Sequence, residues 1–174
     1  MERVEVLIDE ADVDRRICEI GDQISRDYAG KSVHLICILK GSAPFMCELA
    51  KRISCPVTMD FMAVSSYGSG TESSGNIIVK KELDEDIAGK DVIVVEDIID
   101  SGRTLSSLRK ELLKRNPASL KLCTLLDKPD RRVVKDVNVD YVGFVIPDEF
   151  VVGYGLDYDQ KYRNLSYIGV VKFD

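Results

Sequence analysis

Apolar residues at Val13, Ile17, Ile20, Ile24 and Tyr28 step by four, three, four and four positions, the spacing of one helix face, and Gly30 follows as a stop. The period then changes. VHLICIL (residues 33–39) is apolar on both faces and rich in β-branched residues, the pattern of a strand buried in a parallel sheet. Lys40-Gly41 breaks that run, Ser42 is a candidate cap, and Pro44 suits the first turn of a helix running to about Ile53. Residues 57–64 and 76–83 read as two more strands. DVIVVEDIID (residues 91–100) is again a buried pattern, but one that ends in acids. Leu105, Leu108, Leu112 and Leu113 mark a helix opening at Arg103 or Thr104 and stopped by Asn116-Pro117. Residues 119–127, 141–146 and 166–171 supply the remaining strands. This alternation predicts an α/β fold with a mostly parallel central sheet flanked by helices, and an appended segment over about 147–165.

Composition narrows the class. The chain has 174 residues, 45% of them apolar, which suits one globular domain and excludes disordered, collagenous and disulfide-scaffold chains. No apolar run reaches the roughly 18 residues of a membrane span. The acidic N-terminus lacks the layout of a signal peptide, so a cytoplasmic protein with no membrane partner is expected. A net charge of −6 provides no global field for nucleic acid. Five cysteines form no CxxC pair and suit reduced thiols. The single histidine, His34, leaves little for a zinc site or a catalytic triad, and its place before LICIL makes it a strand residue.

Candidate chemistry concentrates at residues 92–104, VIVVEDIIDSGRT. In an open parallel sheet, ligands bind beyond the carboxyl ends of the strands. The turn Asp100-Ser101-Gly102-Arg103-Thr104 offers backbone N–H groups, two hydroxyls and a glycine at a helix start, a cradle for a phosphate dianion. Glu96 and Asp97 stand beside it, and acids ending a buried strand are costly without a purpose. Phosphate next to paired carboxylates suits a ribose 5-phosphate, with the sugar's diol donating to Glu96 and Asp97. Neither a Walker loop nor a GxGxxG turn is present. SSYGSGTESSG (residues 65–75) has no apolar period and reads either as an idle linker or as a mobile lid.

The same residues resemble a known family. Residues 92–104 look like the phosphoribosyl-pyrophosphate motif of type I phosphoribosyltransferases, and EDIIDSGRT resembles the hypoxanthine(-guanine) branch in particular. ILKGS (residues 38–42), Ser66-Tyr67, LLDKP (residues 125–129) and PDEFVVGYGLDYDQKYRNL (residues 147–165) agree in order. The resemblance implies a type I phosphoribosyltransferase fold in one domain over residues 1–174. A small hood would form from parts of the N-terminus and about 147–165, beside a flexible active-site loop.

It further implies a purine-salvage enzyme that converts hypoxanthine, and guanine as well, with phosphoribosyl pyrophosphate to the nucleoside monophosphate and pyrophosphate. Its transition state would have oxocarbenium character. Asp100 would be the general acid or base at the purine N7; its other reading is a helix N-cap. Lys128 would face the exocyclic oxygen of a 6-oxopurine, unless it is a solvated loop lysine. Phe150 would stack on the base with Val151 at its edge, unless it is a core aromatic.

Asp157 would lie on the base and Mg²⁺ side, with Glu96 and Asp97 as further metal candidates. Arg163 and Lys40-Gly41 would hold pyrophosphate, the latter beside a peptide that is often cis in the family, and Ser66 and Tyr67 would close over the reaction centre. A homodimer or homotetramer is implied. A xanthine-preferring transferase and an RNA-binding regulator on the same fold are the alternatives.

Overall fold

The computed structural model describes residues 2–66 and 76–173. Tyr67 and the central part of the expected lid therefore lie outside the described residues. Nine strands and three α-helices are described: β1 (Glu2–Ile8), α1 (Glu10–Asp27), β2 (Val33–Ile38), α2 (Ala43–Ala50), β3 (Val57–Ser66), β4 (Ile77–Lys81), β5 (Asp91–Ile99), α3 (Arg103–Leu113), β6 (Ser119–Asp127), β7 (Tyr141–Val145), β8 (Val151–Val152) and β9 (Ile168–Phe173).

Helix α1 forms where the stripe predicts it. Asp9 caps it by accepting the Asp12 N–H at 2.8 Å, and Val13, Ile17, Ile20 and Ile24 are fully buried or nearly so. All six residues of β2 are buried, as its two-sided apolar pattern requires. The main sheet has the order β4-β3-β2-β5-β6-β7. Its inner pairs are parallel, and only β4 runs antiparallel, on the β3 edge.

Period-two alternation divides the core into two layers. Leu35, Cys37, Ile93 and Val95 face α1 and α2, while Ile36, Val92 and Val94 face Leu105, Leu108 and Leu112 of α3. Each fully buried Leu or Ile there contributes about 1.5–3 kcal/mol.

The strand order reverses at the centre. The chain leaves β2 for β3 on one side, whereas it leaves β5 for β6 on the other. Their carboxyl-terminal loops therefore diverge and open a crevice, which is where such sheets bind ligands.

Three expectations need correction. The last strand does not join the main sheet: β9 lies in a separate antiparallel sheet of order β1-β9-β8. Its partner β1, in a segment with no expected strand, alternates charged and apolar residues and finds its mate only at the far end of the chain. Helix α2 ends at Ala50 rather than near Ile53, because a tight turn from Ala50 to Ile53 leads into Cys55-Pro56. Ser42 precedes α2 but makes no side-chain cap; its hydroxyl is buried beside Glu96. His34 is a buried residue of β2 whose Nδ1 meets the Thr58 hydroxyl at 2.7 Å.

Candidate active site

Strand β5 delivers the acids. Val92–Val95 are buried on both faces, and the strand then carries Glu96 and Asp97 out to the crevice on opposite sides of the sheet end. Two adjoining clefts result. The larger, of about 550 Å³, is walled by Asp97, Lys128, Asp148, Phe150, Val151 and Asp157 among others. The smaller, of about 250 Å³, is walled by Glu96, Ser101, Gly102, Thr104 and Leu105. Ile98, at the end of β5, and Asp100, just beyond it, belong to both walls, so the Asp100 carboxylate stands on the ridge between them.

The smaller cleft has the materials of an anion site. Gly102, at φ +80°, is the residue before α3, and a Cβ there would lie 2.8 Å from Val134 Cγ2. Asp100 is therefore not the N-cap, which removes its structural alternative. Ser101 Oγ accepts the Arg103 N–H at 3.3 Å, and the Thr104 and Ser66 hydroxyls meet at 3.0 Å. The loop beyond β6 backs this turn from the other side.

The larger cleft pairs an aromatic with a lysine. Phe150 is 52% exposed, so it is no core residue; its ring stands edge-on to Tyr158 at 5.7 Å, and Tyr158 packs on Phe173 at 5.5 Å. Lys128 is 8% exposed, which sets aside the solvated-loop reading. Its ammonium lies 3.8 Å from a carboxylate oxygen of Asp100 and 3.8 Å from one of Asp148, and Arg131 reaches Asp148 at 3.5 Å. Asp148 and Arg131 were not among the residues singled out from sequence, although Asp148 falls within the PDEF motif.

Burial raises the pKa of both strand-end acids. Burial, and then the neighbouring Asp97, push Glu96 well above the usual carboxylate range. Burial pushes Asp97 up to about 6, against opposing hydrogen bonds from backbone N–H groups and the attraction of Arg163. Neither forms an ion pair among the described residues. Gly41 is set tightly against Asp97: a Cβ on it would run into Asp97 Oδ2, so a larger residue would have to displace that carboxylate. The Leu39–Lys40 peptide is cis, and Lys40 Nζ donates to Gln160 Oε1 at 3.4 Å.

Arg163 is placed differently from a free clamp. Its Nη1 donates to the Gly155 carbonyl at 2.7 Å, and its Nη2 pairs with Asp157 at 3.0 Å. It stands on the wall of a third depression, with Tyr154 and Asn164, and of neither cleft described above. Asp157 also accepts the Gln160 N–H at 2.8 Å, so one carboxylate organises the turn that carries it.

The donor set around the clefts is all oxygen, which fits a hard divalent cation. Glu96 and Asp97, partly buried at the cleft walls with raised pKa values, and Asp157 nearby, would have their charged forms favoured by such an ion. Among the described residues no group of three or more ligating side chains is gathered, so the protein offers part of a coordination shell rather than a closed one.

A parallel sheet with an acid-tipped central strand, a glycine turn into a helix, and a small second sheet overhanging the cleft together define a class. The phosphoribosyl transferase domain pattern matches residues 10–159, and the chain belongs to that family. Within it, the chain is 55% identical over 170 residues to the hypoxanthine phosphoribosyltransferase of Salmonella typhimurium, covering 97% of this chain and 95% of the relative. It is 53% identical over 167 residues to the hypoxanthine-guanine phosphoribosyltransferase of Streptococcus thermophilus, covering 96% and 92%. A crystal structure of a hypoxanthine phosphoribosyltransferase from Staphylococcus aureus superposes with a TM-score of 0.93 at 51% identity, covering 97% of this chain and 91% of the other.

Proposed function

We infer that the chain is a purine-salvage enzyme that transfers the phosphoribosyl group of 5-phosphoribosyl 1-pyrophosphate to hypoxanthine, and to guanine, releasing pyrophosphate. The observation that carries this reading is the pair of clefts meeting at Asp100. One offers a flat aromatic face and a buried ammonium, as a 6-oxopurine needs. The other offers a glycine turn, hydroxyls and a helix start, as a phosphate needs.

Phe150 stacks on the base and Val151 borders it. Lys128 donates to the exocyclic oxygen, which disfavours adenine because two donors would then face each other. Ser101, Gly102, Arg103 and Thr104 hold the 5′-phosphate, and Glu96 and Asp97 accept from the ribose hydroxyls. Asp100, between the clefts, holds the purine N7 proton as positive charge develops on the sugar. Lys40, Gly41 and Arg163 take the pyrophosphate side, Arg163 after exchanging its present partners. Ser66, hydrogen-bonded to Thr104, stands where the polar segment begins and would help to cover the centre. Asp157, Glu96 and Asp97 are the side chains that would hold Mg²⁺, one or two of them at a time, and the ion would supply charge neutralisation for the departing pyrophosphate. The chain works in the cytoplasm as a homodimer or homotetramer; no described helix is long and apolar enough to cross a membrane.

Spectrophotometric assay with each base, phosphoribosyl pyrophosphate and Mg²⁺ tests the proposal. Hypoxanthine and guanine are turned over and adenine is not. Turnover of xanthine alone would replace the reading, and no nucleotide from any base would end it. Asp100→Asn lowers kcat by roughly 10²–10⁴-fold while circular dichroism stays that of the parent.

A further inference from the structure

The segment that follows Lys128 does more than carry that lysine. Arg132 Nε donates to the carbonyl oxygen of Asp100 at 3.2 Å, and its Nη2 is bonded to the Asp127 carboxylate at the end of β6. Its stem lies against Gly102, where a Cβ would stand 3.0 Å from Arg132 Cδ. The next two residues continue the contact: the N–H groups of Val133 and Val134 donate to the Ser101 carbonyl at 3.0 and 3.3 Å. Farther on, Asp136 accepts from the Ser106 hydroxyl at 3.0 Å and pairs with Lys110, so the segment is also tied to α3.

In a trans peptide the N–H lies opposite the C=O. Drawing the carbonyls of Asp100 and Ser101 towards this strap therefore turns the N–H groups of Ser101 and Gly102 the other way, into the smaller cleft. We propose that Arg132 is a positioning residue for the phosphate-holding turn: it fixes residues 100–102 from behind, as a two-pronged group and not merely as a positive charge. The inference rests on the reading of that turn as a phosphate site. It also makes the segment carrying the base-facing Lys128 the backing of the phosphate turn. The arginine side chain is 19% exposed and its Asp127 partner 14%, which makes their bond a sheltered one. A lysine at this position carries the charge but cannot span both acceptors in one planar fork.

Calorimetric titration with ribose 5-phosphate tests this without requiring turnover. Arg132→Ala weakens binding by about tenfold or more, the equivalent of one lost hydrogen bond to a charged group. Arg132→Lys stays weakened, and millimolar guanidinium restores part of the affinity of Arg132→Ala. Parental affinity in Arg132→Ala would overturn the proposal, and full affinity in Arg132→Lys would reduce it to charge alone and overturn it equally. Should Arg132→Ala not fold, Asp127→Ala removes the anchor and leaves the arginine; several-fold weaker binding then supports the proposal and unchanged binding defeats it. A parent chain that makes no nucleotide, yet loses ribose 5-phosphate affinity on Arg132→Ala, supports this inference while defeating the purine reading.

Discussion

Glu96 and Asp97 leave β5 at consecutive positions, so their carboxyls fall on either side of the sheet end, and burial pushes both towards their neutral forms. Burial raises the Asp97 pKa to about 6 in the folded chain, against about 3.9 for an unfolded aspartate. The folded state thus holds a proton that the unfolded state has released. The stability linked to that proton is complete below about pH 4 and is lost as pH rises through 6. A side chain kept at this cost suits a group whose charge is wanted when ligand or cation arrives. Asp97→Asn removes the ionised form and keeps an oxygen for the Ile98 N–H, now bonded at 2.7 Å. At pH 7.5 the unliganded variant melts a few degrees above the parent, on the order of 1–3 kcal/mol, and the gain shrinks several-fold by pH 4. The same variant binds ribose 5-phosphate more weakly. Calorimetric scans at the two pH values check the sign, and equal midpoints at pH 7.5 would remove this account of Asp97.

The turn between β5 and α3 is the element on which the site is built, and its conformation depends on one residue. Gly102 lies at φ +80°, in the left-handed region, with Val134 and Arg132 packed where a side chain would begin. Gly102→Ala combines backbone strain with a clash, costs about 1–3 kcal/mol in denaturant unfolding, and lowers ribose 5-phosphate affinity in the same preparation. Equal affinity would show that the turn tolerates other shapes.

This turn, β5 and α3 were legible from sequence because short-range periodicity and a glycine mark them. The same holds for the α1 stripe, whereas Phe150, Val151 and Lys128, which the structure brings to one cleft with Asp97 and Asp100, were singled out by the family resemblance and by no local pattern. Pairings between distant segments were not legible. Glu2–Ile8 is mostly exposed and reads as a charged stretch until β9 lies beside it, and β8 is only two residues long. Arg163 shows the same limit for a side chain: a five-donor fork takes whichever acceptors the fold brings near, here Gly155 and Asp157.

Across the whole molecule, the two clefts depend on different parts of the chain. The phosphate turn hangs from β5, which is paired on both sides within the main sheet. The base side depends on the small sheet, in which Val151 of β8 pairs with β9 and β9 pairs along its length with β1. Side chains reinforce that dependence: the Tyr162 hydroxyl donates to Glu2 at 2.6 Å, and Lys161 approaches Glu2 at 3.5 Å. Deleting residues 1–8 strips β9 of its outer partner and frees the overhanging segment, while the turn at Gly102 keeps every support described for it. The KM for hypoxanthine therefore rises between about ten- and a hundredfold, the scale of a misplacement of order 1 Å, whereas the KM for phosphoribosyl pyrophosphate changes far less. Steady-state kinetics with each substrate varied in turn separates the two effects. Parallel increases in both constants would mean that the small sheet supports the phosphate side as well, and that the two clefts are not independently built.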